Sequence, residues 1–272
     1  STTPRSWKGQ EGFKGMASKF SMLSFVSIDK KTTEDNLSSR FNPFSEDFED
    51  EFLISLAKAL RNTLYYNRSN PQYGVEYTLQ QNQQKSLLAN GTETRNVGSH
   101  TLIGRLNLNE VLSSQLSLAQ IIRENRSNFL ESKNFKIVSE EVTPELAYQP
   151  NTRLRFTSSY KFALRENDLA PSDEEQEGIF HELGLEAKLS QVSKRTVAGV
   201  VKYVNIRYTG EPNSYVGYEI LNALRPGNNM TWSMNVQQRL SNGLNISLNY
   251  DGRKANGVGA VHTGRTQVSV LF

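Results

Sequence analysis

The sequence predicts an all-β fold, an antiparallel transmembrane outer-membrane β-barrel of about twelve strands, within a range of about ten to fourteen. Three observations predict it. Segments of about 10–16 residues alternate apolar and polar side chains along most of the chain. The links between them are short and long by turns, and the last strand ends on an aromatic residue.

Taken in order, residues 1–12 are read as an N-terminal periplasmic segment and 13–272 as the barrel, with a first strand at 13–29. Residues 53–67 carry two patterns at once. Leu53, Leu56, Ala57, Leu60 and Leu64 fall at helical spacing behind the acidic run Glu46, Asp47, Glu49, Asp50 and Glu51, which a helix N-terminus favours. Local pattern alone leaves helix and strand even there. Across 73–86, Tyr73, Val75, Tyr77 and Leu79 alternate with Gly74, Glu76, Thr78 and Gln80. Strands follow at 98–109, 114–126 and 134–148. Leu154, Phe156, Tyr160, Phe162 and Leu164 then oppose Arg153, Arg155, Thr157, Ser159 and Lys161 across 152–166. Leu183, Leu185, Ala187 and Leu189 oppose Gly184, Glu186, Lys188 and Ser190 across 179–190. Residues 134–148 and 196–209 lose phase partway, which predicts β-bulges or shifted boundaries. Tyr218–Leu224 fits a short helical turn ended by Pro226-Gly227. Met230, Trp232, Met234 and Val236, then Leu244, Ile246, Leu248 and Tyr250, mark strands at 229–240 and 244–253, and the last runs over 261–272. The links at 68–72, 110–113, 149–151, 191–195 and 241–243 are short. Those at 30–52, 87–97, 127–133, 167–178, 210–228 and 254–260 are mostly longer, which predicts tight periplasmic turns and larger extracellular loops.

Composition narrows the classes. The 272 residues hold 31 Lys+Arg against 28 Asp+Glu and no cysteine. Disulfides, thiolate metal sites and cysteine nucleophiles are therefore out, and a charge of +3 does not point to nucleic acid. Mean hydropathy is −0.56, and no run approaches the roughly 20 apolar residues of a spanning helix. Alternating strands evade that filter, because their polar and apolar faces average out. A soluble β-sandwich also fits alternation, but its strands are usually about 5–6 residues long.

At the C-terminus Val268, Val270 and Phe272 share one face, and the chain given ends on Phe272. A strand of this kind resembles the signal read by the outer-membrane insertion machinery. The stretches LRNTLYYNRSNPQYGVEY, QQNQQKSLLANG, LAYQPNTRLRF and YEILNALRPGNNMTWSMNVQQRLSNGLNISLNYDGRK, with the closing HTGRTQVSVLF, resemble a group of large outer-membrane β-barrel proteins from Bacteroidota. The resemblance runs from about residue 40 to 272, most specifically over 218–254. In that group such segments form the C-terminal end of much longer chains, and segments matching Leu53–Asn67 are strands. The resemblance thus implies fold, an outer-membrane location and a chain that is part of a longer precursor. It implies no activity.

Catalytic constellations are not legible. His100, His181 and His262 lie far apart and form no H-E-x-x-H motif. Ser269 and His262 sit at odd spacing on one strand and so face opposite sides, which argues against a serine hydrolase built on that pair. Neither a Walker A loop nor a dinucleotide fingerprint is present, and no cofactor or metal is expected. The acidic clusters Glu46–Glu51 and Asp173–Glu177 read as solvated loop charge rather than calcium loops. Glu76, Arg153, Arg155, Lys161, Glu186, Lys188 and Asp251 are candidate lumen charges, mixed in sign and suited to pairing across the lumen. Tyr77, Tyr160, Phe162, Trp232 and Tyr250, with Tyr208, are candidate interface aromatics. The expected partners are outer-membrane lipid and lipopolysaccharide, the insertion machinery and other envelope proteins. The expected role is structural or accessory in an envelope assembly, without catalysis; a solute pore is the alternative and an outer-membrane hydrolase a third.

Overall fold

The computed structural model describes residues 15, 17–33, 53–171, 174–191, 194–240 and 243–270. The expected N-terminal segment 1–12, the acidic run 46–51 and Phe272 lie outside them. Twelve strands make one antiparallel sheet in strict chain order: β1 (Phe20–Thr32), β2 (Leu53–Tyr66), β3 (Tyr73–Leu88), β4 (Gly91–Asn107), β5 (Leu112–Ser127), β6 (Phe135–Tyr148), β7 (Leu154–Asn167), β8 (Glu177–Gln191), β9 (Arg195–Thr209), β10 (Gly227–Arg239), β11 (Leu244–Lys254) and β12 (Val261–Val270). One α-helix, α1 (Tyr215–Leu221), lies between β9 and β10, and a 3₁₀ turn at Glu131–Lys133 precedes β6.

The ambiguous segment 53–67 is a strand. Its helical spacing loses to pairing on both sides, with Leu64 opposite Met22 on β1 and Tyr77 on β3. A register shift between Lys31 and Thr32 is the one change of register in the ladders among the described residues. The bulges expected at 134–148 and 196–209 are not there. Phase is lost in both because α1 covers one face, so that Phe135, Ile137, Val204 and Ile206 are buried where alternation calls for polar residues. Pro144, which has no N–H to give, interrupts the β6–β7 ladder without shifting it.

The link expected at 87–97 is instead a two-residue turn, Leu88 pairing with Gly91 across Ala89-Asn90. The run Thr92–Asn96 holds no apolar residue, which hid the start of β4 from the period-2 pattern, yet the backbone carries the ladder through it. The first strand begins at Phe20 rather than 13. At the other end of the sheet an asparagine starts three strands in the same way. Asn109 Oδ1 accepts from the N–H groups of Val111 and Leu112 (2.9 and 2.8 Å), and Asn151 Oδ1 from Arg153 and Leu154 (2.9 and 3.0 Å). Asn70 Oδ1 accepts from Gln72 at 2.7 Å and, more loosely, from Tyr73 at 3.4 Å. The side chain mimics a turn carbonyl and delivers the next strand at a fixed angle.

The sequence of pairs runs from β1–β2 to β11–β12, and no pair joins β12 back to β1 among the described residues. Every described residue of β12 is exposed, and most of β1 is as well.

Candidate functional site: the inner face and its helix

Successive side chains of a strand point to opposite faces, so the register sorts the chain into two surfaces. One is apolar and exposed: Leu102, Leu118, Phe162, Leu183, Tyr203 and Met230 all stand on it. The other carries α1, most of the charges and the largest buried cluster.

Ser214 begins α1 by accepting a hydrogen bond from Gly217 N–H at its Oγ (2.9 Å), the preferred cap chemistry. Asn222, in the left-handed conformation at φ 51°, ends it. Asparagine tolerates that conformation better than most residues. Val216, Ile220 and Leu221 face the sheet and close over Phe135, Ile137, Ala163, Phe180, Val204 and Ile206. Gly178 makes the approach feasible, since a Cβ there would lie 2.8 Å from the Phe180 ring and 3.0 Å from Ile220.

Two arginines of the wall hold the C-terminal end of the helix, where unpaired carbonyls and the negative pole of the helix dipole favour cations. Arg165, 6% exposed, donates from Nη1 to Ile220 O at 2.8 Å and from Nη2 to Glu141 at 3.3 Å, with its guanidinium 4.3 Å above the Phe180 ring. Arg123 donates to Glu219 O at 3.1 Å. Glu219 also faces Arg95 and Arg123, each at 3.7 Å, and Lys161 meets Glu141 at 2.5 Å. Tyr215 lies tilted against Phe135, 6.0 Å between ring centres, and burial there, reinforced by Glu219, raises its phenol above the usual value.

The candidate lumen charges in strands, Glu76, Arg155, Lys161, Glu186, Lys188 and Asp251, lie on this same face by register, and Arg153 lies in the turn before β7. The structure pairs Arg155 with Glu145 (3.9 Å) and Lys161 with Glu141, and Glu76 accepts a hydrogen bond from Thr78. It brings neither Glu186, Lys188 nor Asp251 into this cluster. The residues that grip α1, namely Arg123, Arg165, Glu141 and Glu219, went unread in the sequence.

Of the aromatics, Tyr77, Tyr160, Phe162, Trp232 and Tyr250 stand on the outer, apolar face. Tyr208 does not. It sits on the inner face, packed against the α1 cluster, because β9 shares its parity with Val204 and Ile206. Val268 and Val270 are outward and exposed.

The three histidines share one arrangement. The hydroxyls of Tyr77, Tyr160 and Tyr250 hydrogen-bond Nδ1 of His100, His181 and His262 respectively, each at 2.7 Å. Their partners are thus tyrosines and not serines, and His262 and Ser269 fall on opposite faces of β12. Among the described residues no three His, Asp or Glu side chains cluster as a metal site.

No protein-family model matches the chain, and no curated protein matches it. Several solved structures do. The siderophore receptor PirA from Acinetobacter baumannii superposes with a TM-score of 0.58 at 7% identity, over 93% of this chain and 41% of that one. The monoaromatic hydrocarbon channel CymD gives 0.45 at 10% identity, over 92% and 78%. The outer-membrane channel DcaP of A. baumannii gives 0.40 at 7%, over 92% and 94%. This chain spans about two fifths of the receptor's length. With twelve antiparallel strands in chain order and that receptor superposing over 93% of it, the chain has the outer-membrane β-barrel fold.

Proposed function

We propose that this chain is a structural section of an outer-membrane barrel wall, an arc completed by further strands, with no catalysis of its own. The unjoined edges of β1 and β12 carry this reading. In a bilayer core an open edge leaves its N–H and C=O groups without partners at several kcal/mol each, so such a sheet must be continued by other strands. The receptor likeness supports the same reading, since the chain corresponds to a partial arc of that larger barrel. The ordered turns at one end would lie in the periplasm, with α1 and the longer connections toward the cell exterior.

Because the chain lacks cysteine, paired cysteines test closure cleanly. Single cysteines placed along β1 at Ser21, Ser24 and Ser27, each combined with one along β12 at Thr263, Arg265 or Gln267, should form no intramolecular disulfide in the folded protein under oxidation. Bridging in any combination would show a closed twelve-stranded barrel and defeat the arc. Paired Cα atoms in a ladder lie about 4.5–5.5 Å apart, within disulfide range.

A second reading, a solute passage, is favoured by one observation: α1 is a discrete element on the inner face, held by ion pairs. Planar-bilayer recordings decide it. Ion-selective steps that grow when 212–224 is replaced by a short Gly-Ser link would establish a passage obstructed by α1, whereas silence of both proteins would leave the wall.

A further inference from the structure

We infer that the three Tyr–His pairs form a belt that docks the polar region of bilayer lipid, each imidazole offering its Nε2 to a phosphate or acyl-carbonyl group. This rests on the outer-membrane reading above. The pairs repeat with the sheet: β3 with β4, β7 with β8, β11 with β12. In each the tyrosine is on the earlier strand and the histidine lies diagonally across. Tyr77 is paired with Leu102, Tyr160 with Leu183 and Tyr250 with Gly264, each two residues from the histidine. The tyrosines stand at similar heights, four residues after Tyr73, six after Leu154 and six after Leu244.

That height is a boundary. From the short-turn end, the outward residues of β4 are Leu106, Gly104 and Leu102, then His100, and by Asn96 the face is polar. On β8, Leu185 and Leu183 precede His181, with Glu177 two outward positions further. On β12 Val270 and Val268 lie below and His262 at the top. On the strands between the pairs the outward face turns polar near the same level, at Gln120, Glu140, Asn205 and Asn228. Below lies an apolar band, which ends within one to three outward positions above the pairs, past Leu79, Leu164 and Ile179, at Gln81, Glu166 and Glu177.

The hydrogen bond uses Nδ1 and the tyrosine hydroxyl, so Nε2 has no partner among the described residues and is either a donor or an acceptor according to tautomer. In hydrocarbon an unpaired nitrogen of this kind is heavily penalised. At the headgroup level phosphate, carbonyl and ordered water satisfy it. The tyrosine holds the ring, and Phe162 beside His181 and Trp232 beside His262 (5.3 and 5.5 Å between ring centres) pack on its flank.

Trp232 reports the depth. The chain has two tryptophans, Trp7 and Trp232, so the Trp7→Phe protein carries one. It is reconstituted together with the strands that complete the wall, any tryptophan in them replaced by phenylalanine, in phosphatidylcholine vesicles brominated either near the acyl carbonyl or near the chain end. Quenching should be stronger with bromine near the carbonyl; stronger quenching from the chain end would place the belt in hydrocarbon and overturn the proposal. Lack of quenching by either would put Trp232 outside lipid and overturn the membrane reading as well. The second measurement is urea unfolding in unmodified vesicles. Against a background of Tyr77→Phe, Tyr160→Phe and Tyr250→Phe, adding His100→Phe, His181→Phe and His262→Phe should lower the folded-to-unfolded ratio about fivefold per histidine. A ring in hydrocarbon would instead gain from the more apolar phenylalanine, so an unchanged or raised ratio overturns the lipid contact.

Discussion

Arg165 is where charge and burial meet most sharply. Its guanidinium is enclosed by the Phe180 ring, Glu141 and the last carbonyls of α1. Removing one member of such a buried set typically costs about 3–5 kcal/mol, because the partner is left desolvated. Arg165→Met should therefore lower stability by about 3 kcal/mol in urea unfolding, and limited proteolysis should then cut the 210–226 segment faster. Arg155→Met on the same strand removes a half-exposed partner of Glu145 at 3.9 Å and should cost under about 1 kcal/mol. Among the turn asparagines, Asn151→Ala leaves two N–H groups without their acceptor. A loss of about 1 kcal/mol is expected, with the heat needed to convert folded to unfolded gel mobility falling accordingly. At this scale the sequence was least informative. The histidine and tyrosine of each pair lie 23, 21 and 12 residues apart, separations that form no motif. Only the register of neighbouring strands reveals that they repeat.

Among elements, α1 shows how one short helix rewrites the pattern of the strands beneath it. Ile220 is fully buried, and Ile220→Ala should cost about 2–4 kcal/mol with a cavity against Phe135 and Phe180. Hydrogen exchange should show the loss confined to α1 and the upper ends of β6, β7, β8 and β9, where its contacts lie. Because α1 shields part of the inner face, the alternation of β6 and β9 inverts there: Ile137, Val204 and Ile206 point inward beside the outward Lys136, Asn205 and Arg207. Their irregular periodicity, which suggested bulges, was in fact the trace of the helix. The helix itself was legible, shifted by three residues from the expected Tyr218–Leu224 to Tyr215–Leu221. Its start depended on the Ser214 cap, which the apolar spacing does not mark. The opposite error affected 87–97, where the polar run Thr92–Asn96 hid the first residues of β4.

For the molecule as a whole, strand number, antiparallel order and the two faces were all legible, because a half-buried sheet imprints a period of two on its sequence. Closure was not, since it depends on whether the first and last strands meet, which no local pattern records. Among the described residues each strand pairs only with the strands before and after it in the chain, and α1 supplies the one cover over several of them. Deleting β11 and β12 together should consequently leave β2–β9 with their hydrogen-exchange protection intact, whereas deleting β6 and β7 should also unseat α1. Protection lost throughout the sheet in the first deletion would show that the edges support one another.

The unbroken order from β1 to β12 has a further consequence for how such a wall changes size. Among the described residues every seam joins sequence neighbours. A duplicated or lost hairpin therefore inserts or removes two staves without rerouting any loop, and it leaves the same two kinds of edge exposed. Ancestral barrels of this type could widen by tandem copying alone, and the even spacing of the Tyr–His pairs, one to every four strands, has the period such copying would leave behind.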